Sequence, residues 1–159
     1  MHTKSITKCG IFLALSLILS YVETIIPFNF AIPYAKLGLA NIITLICLYK
    51  ISTIETFAIQ LLRVIIIAIV NGNIISLQFS FFGFLFSFII MFLLIKFTKL
   101  NIIFISIISA IIHNISQIFV AIFVLGSVNI LSIIPLSIVT GIITGLIIGF
   151  LADMVLKRI

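Results

Sequence analysis

The sequence predicts an all-α integral membrane protein: one domain over residues 1–159, built as a bundle of six transmembrane helices with both termini in the cytoplasm. Three observations carry this expectation. The 159-residue chain is 64% hydrophobic and only 8% charged, whereas a soluble domain needs roughly a quarter of its residues charged to cover its surface. Its mean hydropathy of +1.56 comes from long apolar runs separated by short breaks of turn chemistry. Finally, seven of the nine basic residues fall at one set of breaks.

The first run, 6–26, is too long for the apolar core of a signal peptide and has no small-x-small site after it, so it is expected to be retained as a spanning helix. Pro27 and Pro33 end it. The second run, 37–51, is short, and "YKIST" separates it from the third, 54–71. "NGN" at 71–73 precedes the fourth, 78–98, which is almost wholly apolar and is expected to face lipid. "KFTKLN" at 96–101 leads into the fifth, 101–125, and "GSVN" at 126–129 into the sixth, 131–155. With the N-terminus inside, Lys4, Lys8, Lys50, Lys96, Lys99, Lys157 and Arg158 are cytoplasmic, seven of nine basic residues. The net charge of +6 is therefore a topology signal. Nucleic acid is excluded as a partner, because the basic residues form no continuous stripe with aromatic neighbours. Cys9 and Cys47 are far apart and read as small buried hydrophobes.

The charges left inside the bilayer are the candidates for function. Arg63 sits near the middle of the third run, and a charge at bilayer centre costs about 2.5–3.5 kcal/mol on insertion scales. At 100° per residue, Thr56, Gln60, Arg63 and Asn71 share a sector of about 80°. The fifth run has a second polar face: Ser106, Ser109, His113, Asn114 and Gln117, with Ala110 between them. Glu23 lies near the outer end of the first helix, and Lys36 is the one basic residue in an outer connection. Pro27 and Pro33 hold that connection extended, Gly38 and Ala40 allow close approach, and Asn41 supplies an amide. The stretch 29–41 is expected to cap an outward-facing pocket as a lid and charge hook. Lys36, Asn41, Gln60, Arg63, His113, Asn114, Gln117 and Glu23 are its candidate solute-binding residues. The excess of positive charge favours an anionic or mixed polar–aromatic solute.

Gly141, Gly145 and Gly149 recur every four residues in the sixth run and are expected to form a close-packing face. Gly10 and Ala14 form a shorter one, a candidate docking face for a second membrane subunit. No catalytic residues, metal site or cofactor is expected. The chain has no phosphate-binding loop and a single aspartate, too few to hold magnesium diphosphate. His113 also lacks the His or Cys partners that a zinc site needs.

At "AKLGLAN" (35–41), "LLRV" (61–64) and "HNISQ" (113–117) the sequence resembles a bacterial membrane family, the Gx transporter family, also called heptaprenyl diphosphate synthase component I. The similarity runs over nearly the whole chain. That family is grouped with the substrate-binding S components of energy-coupling factor transporters. The resemblance implies six helices in the bacterial cytoplasmic membrane and a vitamin- or quinone-precursor-like solute taken from outside. It also implies a transmembrane coupling subunit with two ATPase subunits as partners. S components present an alanine-x-x-x-alanine pattern on the first helix to that coupling subunit; the matching positions here are Gly10 and Ala14, with Ile18 next. Two other functions compete: a non-catalytic membrane anchor for a polyprenyl diphosphate synthase, and a stand-alone channel. The shortness of the loops assigned to the cytoplasm argues against an anchor, and the second and fourth helices offer almost no polar path for a channel.

Overall fold

The computed structural model describes residues 3–25 and 38–158. They form six α-helices: α1 Thr3–Ile25, α2 Asn41–Lys50, α3 Thr53–Asn71, α4 Ile74–Phe97, α5 Ile102–Leu125 and α6 Ile134–Leu156. A 3-10 turn, Val128–Ile133, leads into α6. Five of these segments are long and apolar enough to cross a bilayer, and α2 is not. Its ten residues rise about 15 Å, half of a ~30 Å hydrocarbon core. The expected second span, 37–51, is thus a half-length helix. The expected start of the fourth helix moves from 78 to Ile74, because Asn73 caps it there.

The helix ends follow from local chemistry. The Ser52 hydroxyl accepts from the Glu55 N–H and the Glu55 carboxylate accepts from the Ser52 N–H at 3.2 Å, a reciprocal cap at the start of α3. Asn73 Oδ1 accepts from the Ile75 and Ser76 amides, and Asn101 Oδ1 from Ile103. Gly72 and Gly126 end α3 and α5 in the left-handed conformation, at φ +59° and +65°.

α5 is the centre of the bundle. It packs against α4 on one side and α6 on the other, and its buried residues include the whole polar series from Ser106 to Gln117. On α6, Gly141, Gly145 and Gly149 meet the α5 backbone: a Cβ at each would stand 2.9, 2.5 and 2.8 Å from the Cα of Ile111, Ile107 and Ile103. Only hydrogen side chains permit that approach. α4 is not simply a lipid-facing helix. Phe79, Gly83, Phe84, Ser87, Phe88 and Met91 are buried, and Phe84 and Phe88 pack on Phe57 of α3 with ring centroids 5.4–5.6 Å apart.

α2 touches α1, α3, α4 and α6, and every residue from Ile43 to Cys47 is buried. A helix buried on all sides belongs inside a bundle. Two residues separate the end of α2 at Lys50 from the start of α3, and its ten residues reach about half the length of the 19-residue α3. α1 is the opposite case, packed on α3 and α2 along one side and otherwise exposed. Gly10 has open space where a Cβ would be, and Ala14 is exposed.

Candidate functional site

Four chain segments meet in the half of the bundle away from the lysine-rich end. α1 brings Ser20 and Glu23, the turn before α2 brings Gly38, α3 brings Arg63, and α5 brings His113 and Gln117. With Val64, Ile67 and Ser80 they line a single void of about 10 Å3, room for about one water molecule.

The geometry is built around two charges. Arg63 is 6% exposed and its Nη1 donates to Ser20 Oγ at 3.2 Å. The Glu23 carboxylate, 7% exposed, lies close enough to act electrostatically on that guanidinium. One of its oxygens also accepts from two successive backbone amides, Gly38 N–H and Leu39 N–H, the latter at 3.2 Å. Gly38 has φ +82°, a left-handed conformation that glycine adopts without steric cost. Burying an arginine in a bilayer demands an anion and acceptors, and Glu23 and Ser20 supply them here.

The His113 ring fills the gap between two glycines. A Cβ on Gly83 of α4 would stand 2.7 Å from His113 Cε1, and one on Gly38 would stand 3.3 Å from the other side of the ring. Gln117, one turn further along α5, places its amide nitrogen 3.0 Å from His113 Nε2. This contact ties the ring to the side chain one turn further along the same helix face.

The other expected site residues divide. Asn41 is 2% exposed beside Gly38, with its Nδ2 2.8 Å from the position of a Gly38 Cβ. Neither of its amide atoms is hydrogen-bonded. Gln60 is fully buried one turn below Arg63, also with an unbonded amide, and does not line the void. Asn114 does not line the void: its Nδ2 donates to Ser137 O at 3.1 Å and Thr140 Oγ1 at 3.2 Å on α6. It turns away from His113 because adjacent helical positions diverge by 100°. Asn71 does not continue the polar face of α3 inward, being exposed at the helix end. Lys36, Pro27 and Pro33, and with them most of the expected lid, lie outside the described residues.

The structure adds Ser20, Gly83 and Ser80. Gly83 had one sequence signal, a lone small residue inside "FSFFGFLF", where the loss of bulk marks a close approach. The profile of the family described as heptaprenyl diphosphate synthase component I matches residues 12–155. The chain belongs to that family. The match covers every residue lining the void. No curated protein and no solved structure shows detectable similarity to this family member. Among the described residues there is no cluster of three or more His, Cys, Asp or Glu side chains that could hold a metal.

Proposed function

We propose that this component I protein is the solute-binding membrane subunit of an energy-coupling factor type transporter, capturing a small polar solute from the outer face of the bacterial cytoplasmic membrane. One observation carries the reading: buried Arg63, Glu23, His113 and Gln117, from three helices, converge with the turn before α2 on one void. Packing alone does not call for such a set, since glycines already join α5 to α6. The void has room for about one water molecule, so loading a larger solute requires α1 and the turn at 38–40 to part. The chain is assigned no chemistry of its own. Energy would come from a transmembrane coupling subunit with two ATPases, docked on the open Gly10–Ala14 face of α1.

The family description also supports an alternative, a membrane subunit of a polyprenyl diphosphate synthase. One experiment separates the two. The intact protein is purified in mild detergent and its co-purifying small molecules and proteins are identified by mass spectrometry. A stoichiometric small solute, lost in Arg63→Gln, supports the transporter reading. A co-purifying prenyl synthase with no small solute overturns it.

A further inference from the structure

The turn that leads into α2 presents backbone amides, because the first-turn N–H groups of Asn41, Ile42 and Ile43 are already taken by the Gly38, Leu39 and Ala40 carbonyls while those of Gly38 and Leu39 reach a carboxylate. The helix begins with Ala40 as its cap and no side-chain cap bond. Its positive dipole end and the amides just before it are therefore presented to the polar void. Helix N-termini attract anions through oriented N–H groups, and half-helices that end at mid-membrane do so in a medium that screens little. Gly38 N–H and Leu39 N–H converge on one carboxylate oxygen, and Arg63 faces the same void. A further group points to a ligand: Arg63, which lines the void and is 6% exposed, has its Nε buried without a hydrogen-bond partner, and the Asn41 amide, 2% exposed beside Gly38, is unbonded as well.

The occupant of this site in the structure is Glu23, a side chain of the protein itself. The void of about 10 Å3 admits no solute beside it. Glu23 sits in the last turn of α1, the helix with the least burial, two residues from the helix end, where its side chain can swing to the outer interface. Exchange of one carboxylate for another leaves the buried charge unchanged, so Arg63 is never left unpaired. We propose that the Gly38–Leu39 amides and Arg63 form the recognition site for a carboxylate on the solute, and that Glu23 is an internal stand-in which the solute displaces. This rests on the reading of the protein as a solute-binding subunit.

The test is made with acetate, the smallest carboxylate that can fill the place of the Glu23 head group. The full chain is placed in lipid nanodiscs, and thermal unfolding is followed for wild type, Glu23→Ala, Glu23→Gln and Glu23→Ala/Arg63→Gln. Sodium acetate is compared with equal concentrations of sodium chloride, acetamide and sodium phosphate. Acetate should raise the Tm of Glu23→Ala by about 3 °C, the shift that one regained charge-assisted bond gives a chain of this length. Acetamide and chloride should do nothing, and the double variant should not respond. Should Glu23→Ala fail to fold, Glu23→Gln carries the same comparison. Its half-saturating acetate concentration should lie at least about tenfold below that of wild type, because the competing carboxylate is gone. Equal responses to acetate and acetamide overturn the proposal, as does a response that survives Arg63→Gln. A stronger response to phosphate than to acetate overturns the assignment to a carboxylate. Acetate rescue does not depend on transport, so its failure beside intact solute binding removes the displacement alone. Rescue in a protein that carries no solute removes the transporter reading alone.

Discussion

Gly145→Ala should weaken the bundle by about 1–2 kcal/mol, because one methyl group has nowhere to go. The added Cβ would stand 2.5 Å from Ile107 Cα and 3.0 Å from Ile107 N and Ser106 O. Carbon pairs rest at about 3.5–4.0 Å, so the helices must separate by roughly 1 Å at that level. The neighbours are backbone and no rotamer change relieves them. Overpacking of this kind costs about 1–3 kcal/mol, and the upper part of that range applies when main chain must move. Alanine returns up to ~1 kcal/mol of helix propensity over glycine, which leaves the net loss stated above. For a chain of this length that is a fall in Tm of roughly 3–8 °C. The assay uses a thiol-reactive dye and the fully buried Cys47, in a Cys9→Ser background that removes the partly exposed thiol. Gly10→Ala is the internal control, since nothing lies within 4 Å of its added Cβ, and its Tm should stay level or rise slightly. A Gly145→Ala protein as stable as its parent would refute the close α5–α6 contact.

Other outcomes follow from the same contacts. Arg63→Ala leaves Glu23 as an uncompensated buried charge and should destabilise the protein by about 3–5 kcal/mol, whereas Glu23→Gln/Arg63→Gln should lose far less; additive losses in that double-mutant cycle would show that the two groups are independent. Gly83→Ala drives a methyl to 2.7 Å from His113 Cε1 with Gly38 blocking retreat. It should break the bond between His113 and Gln117 and abolish solute retention while moving the Tm of a Gly83→Ala/His113→Ala double variant little; retention at the parent level would remove the ring from the site. Cysteine at Asn73 or Asn129 should react with an impermeant thiol reagent in intact cells, and reaction only after lysis would invert the topology. Ala14→Leu, on the exposed side of α1, should preserve solute binding and stop ATP-driven uptake; undiminished uptake would clear that face of a docking role.

The helices were legible because turn chemistry and caps punctuate long apolar runs. Gly72, Asn73, Asn101 and Gly126 each sit at a helix end. The polar face of α5 and the glycine row of α6 were legible as periodicities, since a side chain's direction on a helix follows from its number. What failed was anything that depends on which helix wraps which. Run length does not tell a spanning helix from a half-helix sheathed by four others, and α2 was misread for that reason. Asn114 was grouped with His113 by proximity in sequence, although its partners are on α6. The most consequential contact, Glu23 with the amides of Gly38 and Leu39, has a side chain at one end only. A search that pairs side chains with side chains passes over it.

A buried anion site faces a difficulty when empty, and the difficulty explains the arrangement found. Two convergent amides and a buried guanidinium without an acceptor would each cost several kcal/mol in hydrocarbon. Water is a poor remedy, since the void has room for about one molecule. A tethered carboxylate removes that cost. The same device taxes the solute: its apparent affinity falls by the fraction of time that Glu23 leaves the site open. A solute whose only contacts were those of Glu23 would therefore gain nothing by displacing it. The surplus must come from groups that the structure leaves unsatisfied, and the Asn41 amide, beside Gly38 with an unbonded donor and acceptor, is such a group. On this argument the carboxylate gives the solute its position and a second hydrogen-bonding function gives it selectivity. Asn41→Ala should then reduce discrimination among carboxylate solutes more than it reduces carboxylate binding as such. Equal loss across a panel of co-purified or supplied carboxylates would show that the amide plays no part in the choice.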